Sequence, residues 1–258
     1  MLFRSQTNNI FLANHNTRSG WTWNRVYLHN SPVCLVIMKN SNLIIFVAEL
    51  VGTFGLLIAA TSCIVYDGML GGAYGIAFIA IIHFVGIAIV VNAFGKYSMA
   101  HFNPAVTIAF FITRHTKARQ LPVYFTAQAI GAFLGTLFVK FVFGDYALLG
   151  TNAPNLDFSM PEIIGYEMLA TALLMAVIYV VVHKKISKFS GIMIAGIIGL
   201  DVLFLGPISG ASMNPMRSLS PAIVSGVTTD LWLYWTTPFI GTILMALIYR
   251  KKFLTKPV

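Results

Sequence analysis

The chain has 258 residues, 57% of them hydrophobic and only 10% charged, with a mean hydropathy of +0.80. That balance excludes an ordinary soluble domain. The net charge of +9 would suit nucleic acid, but the basic residues gather between long apolar segments, so no nucleic acid is expected as a partner.

The first 37 residues differ in kind from the rest. They are rich in Asn, carry Arg4, Arg18 and Arg25, and contain no acid. They also lack an apolar core of signal-peptide length. The expectation for residues 1–37 is a disordered tail or an extraneous extension ahead of Met38, with a transit peptide as the alternative. Residues 38–258 read as one integral membrane domain. Two cysteines, Cys34 and Cys63, cannot make a disulfide framework.

Crossing a hydrocarbon core of about 30 Å takes about 20 helical residues. Six charge-poor stretches are long enough, at about Leu43–Val65, Gly72–Phe94, Leu121–Phe143, Pro161–Val182, Ser190–Ile208 and Leu231–Tyr249. With six spans, three basic groups share one side: Arg114, Lys117 and Arg119; Lys184, Lys185 and Lys188; and Arg250, Lys251, Lys252 and Lys256. The acids Asp67, Asp145, Asp157, Glu162 and Asp230 fall on the other. The positive-inside rule then makes both termini cytoplasmic, with the cell membrane as the expected host. Lys140 is the basic exception and is expected to snorkel to the outer interface. Gly131 and Gly135 are spaced for close helix packing, and Trp232, Tyr234 and Trp235 are expected as interfacial anchors.

Each half of the domain, about 42–143 and 161–250, repeats one design. An acid lies early in a span with Thr four residues on, as Glu49 with Thr53 and Glu167 with Thr171. About fifty residues later comes Asn-Pro, as Asn103-Pro104-Ala105 and Asn214-Pro215-Met216. Asn suits a helix N-cap and Pro the first helical position, where a missing N–H costs nothing. The apolar stretches that follow, Ala105–Ile112 and Met216–Val224, are too short to cross. They read as half-helices that enter the membrane and stop, which is tolerated only beside protein or a wet cavity. Duplicated, interrupted segments of this kind mark a site at the bilayer midplane. The expected fold is therefore an all-α membrane protein with six transmembrane helices and two re-entrant half-helices in an inverted repeat. Two helix N-termini facing one point repel cations, and the Asn103 and Asn214 amides offer N–H donors to a passing oxygen.

The stretches Ala48–Thr53, Ala100–Thr107 and Gly206–Ser218 make the chain resemble the major intrinsic protein family, the aquaporins and glycerol facilitators, from about Asn42 onward. The resemblance implies one pore per subunit, a homotetramer and a passive channel. By offset from the two Asn-Pro motifs it implies an outer filter of His83, Val202, Ala211 and Arg217. An intramembrane Arg is costly unless it faces a wet cavity, which independently marks Arg217 as functional. The four together are similar to the tonoplast intrinsic branch of the family. Glu49, Glu167 and His101 are expected as structural supports, and Asp201 to support the filter or cap local backbone. Met216 departs from the family's usual Ala and leaves a narrowed pore as an alternative.

Ser218, Ala222, Tyr234 and Trp235 follow the family's water-channel pattern. Water is thus the expected substrate, with ammonia or another small neutral solute second. The alternatives are a facilitator mainly for glycerol, urea or ammonia, and a closed-pore structural tetramer. No metal-spaced His/Cys set, nucleotide loop or catalytic triad is evident, so neither an enzyme nor a cofactor is expected.

Overall fold

The computed structural model describes residues 10–16, 20–26 and 41–254. The chain divides into two units, Met1–Ser41 and Asn42–Val258. In the first, β1 (Ile10–Asn16) pairs antiparallel with β2 (Gly20–Val26), Ile10 opposite Val26 and Asn16 opposite Gly20. A lone two-stranded hairpin is marginal in water. Residues 1–37, expected as a disordered or extraneous extension, otherwise lie outside the described residues.

The second unit is helical throughout its described elements. These are α1 (Ser41–Met69), α2 (Gly75–Ser98), α3 (Pro104–Ile112), α4 (Leu121–Phe143), α5 (Met160–Lys184), α6 (Ser190–Phe204), α7 (Pro215–Ser225) and α8 (Leu231–Tyr249). Five of them, and α6 together with the turn Ser187–Phe189 that leads into it, are long and apolar enough to cross a membrane. The third and sixth spans coincide with their expected limits. The fifth stops at Phe204 rather than Ile208, and Gly206–Ser209 forms a separate helical turn. Pro207 is the physical reason: its ring clashes with a preceding carbonyl and it donates no hydrogen bond. The half-helices α3 and α7 begin at the two prolines, one residue before the expected apolar stretches.

Small residues let the long helices touch backbone to backbone. A Cβ on Gly131 would lie 2.3 Å from the Leu50 carbonyl oxygen, and one on Gly135 would lie 2.8 Å from that of Phe54. In the second repeat, Gly241 of α8 meets the Met168 carbonyl at 2.5 Å in the same sense. Gly131→Val is therefore expected to destabilise the fold by about 1–3 kcal/mol through overpacking. A thermal melt in detergent checks this, and an unchanged midpoint would mean that α1 and α4 separate freely.

The half-helices also lock the repeats together. α3 packs against α8 and α7 against α4, so each lies beside a long helix of the other repeat. Lys140 ion-pairs with Asp145 at 2.9 Å, at the half-exposed C-terminal end of α4. Trp232 and Trp235 are exposed as anchors should be, but Tyr234 is 1% exposed and serves the interior.

Candidate functional site

The segments that lead into α3 and α7 are strained in matching places. Ala100 and Phe102 have φ of 49° and 48°, and Ala211 and Met213 have 40° and 54°. Left-handed backbone costs an L-residue about 1–2 kcal/mol, so something must hold these turns.

Two buried carboxylates do so. Glu49 Oε1 accepts from Ser98 Oγ (2.6 Å) and the His101 N–H (2.9 Å), and its Oε2 from the Phe102 N–H and Gln128 Nε2 (both 2.8 Å). Glu167 Oε2 accepts from Ser209 Oγ (2.9 Å) and the Ser212 N–H (3.2 Å), and its Oε1 from the Met213 N–H (2.7 Å). Tyr124 and Tyr234 donate to the Ser98 and Ser209 carbonyls at 2.7 and 2.8 Å. The supports are thus duplicated almost atom for atom. His101 differs from its counterpart Ser212 in being stacked between Phe110 and Tyr124, with Nδ1 3.1 Å from Thr107 Oγ1. Its ring bonds a side chain, and its backbone N–H reaches Glu49.

Thus held, the two asparagines cap their half-helices. Asn103 Oδ1 accepts from the Ala105 N–H at 2.8 Å, and Asn214 Oδ1 from the Met216 N–H at 3.1 Å. Each amide then reaches across: Asn103 Nδ2 donates to the Met213 carbonyl at 2.7 Å, and Asn214 Nδ2 to that of Phe102 at 2.8 Å. The two N-termini therefore meet. One amide N–H of each asparagine is spent on this cross-bracing and one remains.

Both asparagines line a cavity of about 50 Å³, room for about four waters at the 10–15 Å³ that each occupies. His83, His101, Ala211, Ser212 and Arg217 also line it. The rest of the wall is largely aliphatic, including Leu56, Ile87, Leu174 and Ile178. Ile194 and Ile198 of α6 line the cavity too, and Val202 continues their stripe one turn further without itself lining it. Pro104, Ala105 and Pro215 are buried at the half-helix starts. Met216 is 8% exposed and packs in the apolar core rather than on the cavity wall. Asp201 is buried, with Oδ2 unpartnered, and neither lines the cavity nor caps backbone through its side chain.

Arg217 is held from one side. Its Nη1 donates to the Gly150 carbonyl (2.8 Å) and to Asn152 Oδ1. Asn152 Oδ1 also accepts from Ser218 Oγ at 2.8 Å, and its Nδ2 donates to the Gly210 carbonyl at 2.8 Å. Gly210 has φ +87°, and a Cβ there would meet the Tyr234 hydroxyl at 2.8 Å, so any side chain would be both strained and crowded. Ala147, Leu148 and Leu149, at φ 44°, 49° and 56°, wind left-handed to deliver Gly150. Nε and Nη2 of Arg217 have no partner among the described residues. His83 Nδ1 lies 2.9 Å from the Ile79 carbonyl, so Nδ1 carries the proton and Nε2 is left as an acceptor.

Sequence reasoning missed Ser98, Ser209, Tyr124, Gln128, Gly150 and Asn152. Ser98 and Ser209 carry a usable signal, since each lies five residues before its Asn-Pro.

The family model described as Major intrinsic protein matches residues 37–249. The chain belongs to the major intrinsic protein family. Among curated members, it is 38% identical to a probable aquaporin, NIP7-1, of Arabidopsis thaliana, over 80% of this chain and 75% of that protein. It is 37% identical to nodulin-26 of Glycine max, over 79% and 76% of the two chains. The aquaglyceroporin structure from Plasmodium falciparum superposes with a TM-score of 0.72 at 24% identity, covering 83% of this chain and 97% of that one. These relatives correct one expectation about the branch. The filter was expected to resemble that of the tonoplast intrinsic branch, but the relatives found are NIP-type aquaporins and a nodulin.

Proposed function

We propose that this family member is a passive channel for water that excludes ions and protons, with ammonia or another small neutral solute as a second permeant. The observation that carries this reading is the narrow cavity in which two asparagine amides, at the facing N-termini of α3 and α7, interrupt an aliphatic wall. A water there meets donors on one side and apolar surface on the other. It cannot keep the hydrogen-bonded chain along which protons hop, and the positive helix ends repel cations. His83, Ala211, Arg217 and Val202 would form the outer filter. Arg217 offers donors and His83 Nε2 an acceptor, a pairing that suits water because water is both.

Curated relatives called aquaporins support a channel. The side chains at Val202 and Ala211 favour a second reading, a facilitator for a larger neutral solute such as glycerol, because they leave the filter wide. The family supports a homotetramer, and exposed apolar side chains such as Ile81, Ile89 and Phe204 suit lipid or a neighbouring copy. The positive-inside rule supports cytoplasmic termini.

Stopped-flow osmotic shrinkage of proteoliposomes tests the proposal. Fast shrinkage with a low activation energy and no proton leak is expected. Shrinkage no faster than empty liposomes, with folding verified, would overturn it, and glycerol uptake without water flux would select the second reading.

Asn152→Ala tests the one-sided hold on Arg217. A hydrogen bond to a charged group contributes about 1.5–3 kcal/mol, so discrimination between water and glycerol is expected to fall about tenfold. An unchanged permeability ratio would show that Gly150 alone fixes the guanidinium.

A further inference from the structure

A second opening lies away from the pore, where the end of α3 meets the end of α8. The chain leaves α3 through Thr113 and a left-handed Arg114 (φ 62°), and α8 continues past Tyr249 as a wide turn, Arg250–Leu254. Thr113, Arg114, His115, Arg250 and Leu254 line a hollow of about 380 Å³.

The charges on its described lining are of one sign. The chain has eight acidic side chains. Glu49, Glu167 and Asp201 are buried in the helical unit, and the other five lie in or beside the loops of the opposite side. Among the described residues, no carboxylate lines the hollow. Neither the Arg114 nor the Arg250 guanidinium has a hydrogen-bond or ionic partner among the described residues. His115 closes the floor, with Nδ1 2.8 Å from Thr113 Oγ1 and its ring beside Phe110, Tyr179 and Tyr249. Partial burial holds its imidazole below the usual range, so near neutral pH the charge comes from the two arginines.

Two blander roles account for part of this. Basic residues on this side satisfy the topology rule, and a cation after α3 suits the negative end of its dipole. Neither calls for two unpaired guanidiniums bordering one hollow. Planar forks of N–H donors at fixed positions match the oxygens of a phosphate group, and basic pockets between membrane helices on the cytoplasmic side accept anionic headgroups.

We infer that this hollow binds a phosphate group between Arg114 and Arg250, carried either by an anionic lipid or by a soluble phosphate. The site lies at the far end of the half-helix capped by Asn103, and it does not depend on which solute the pore passes.

The test uses the full chain in nanodiscs. Retention of phosphatidylglycerol and of a phosphoinositide against phosphatidylcholine is measured by native mass spectrometry, and inorganic phosphate is titrated into phosphatidylcholine discs by calorimetry. Arg114→Gln and Arg250→Gln are compared with Lys188→Gln, a basic residue on the same side but outside the hollow. A contribution near 1 kcal/mol per basic residue corresponds to about a fivefold loss for each arginine variant, with Lys188→Gln unchanged. Arginine-dependent lipid retention without inorganic phosphate binding identifies a lipid headgroup as the source; arginine-dependent binding of inorganic phosphate identifies a soluble one. An equal loss in Lys188→Gln, or no arginine-dependent binding of either probe, overturns the proposal. Osmotic permeability of each variant, expected within about twofold of the parent, verifies that the fold is intact.

Discussion

Arg217→Val is expected to raise glycerol permeability at least tenfold and to open a measurable cation or proton leak, with water permeability changing about threefold or less. The guanidinium carries the fixed positive charge of the cavity and cannot lose its proton. Removing it takes away both the electrostatic barrier to cations and the bulk that crowds a larger solute. Valine leaves Gly150 and Asn152 in place, so the loop behind the filter should persist. Proteoliposome flux assays for water, glycerol and protons in the same preparation check this. An unchanged ratio of glycerol to water flux would mean that the constriction lies elsewhere, with the aliphatic wall around Ile194 and Ile198 the next place to look.

Glu49→Ala is expected to abolish the fold. The carboxylate satisfies four donors in a buried site: the Ser98 hydroxyl, the His101 and Phe102 N–H groups, and the Gln128 amide. Each orphaned donor costs about 1–3 kcal/mol, so together they rival the whole stability of a typical protein, about 5–15 kcal/mol. The strained backbone at Ala100 and Phe102 would lose its restraint in the same step. Glu49→Gln should be nearly as damaging, because it turns an acceptor oxygen into a donor facing donors. Size-exclusion profiles and thermal melts in detergent are the measurements. A monodisperse Glu49→Ala protein with a midpoint within a few degrees of the parent would show that the re-entrant loop holds itself. Glu167→Ala should behave similarly, with Ser209, Ser212 and Met213 left unpaired.

The long helices were legible because lipid leaves hydropathy as the main signal, and two of six spans end at the expected residues. The half-helices were legible because Asn-Pro states a cap and a helix start in two letters. What escaped has no period. Ser98, Ser209 and Asn152 act through single hydrogen bonds at element ends, where a polar residue ordinarily means only that the chain has reached water. Tyr234 was misread for a related reason: beside Trp232 and Trp235 it looks like part of an aromatic belt, yet its hydroxyl turns inward to the Ser209 carbonyl. Pro207 is visible in the sequence, but the hydrophobic run continues past it, so hydropathy alone does not mark the break. The filter was reached by counting from the motifs. Counting of that kind cannot reveal that Asn152, sixty-five residues before Arg217, holds its guanidinium in place.

The crossed amides of Asn103 and Asn214 also bear on how the protein is made. A nascent chain that has just inserted Asn103 has its Oδ1 partner at Ala105 at once, but none for Nδ2 until Met213 is synthesised, and the Phe102 carbonyl waits equally long for Asn214. The first re-entrant loop is therefore braced by its own repeat alone, through Glu49, while more than a hundred further residues emerge. A chain stopped before residue 213 would be an unfinished clasp. Two halves made as separate polypeptides should find each other in the membrane, because each carries the hydrogen-bond partners that the other lacks.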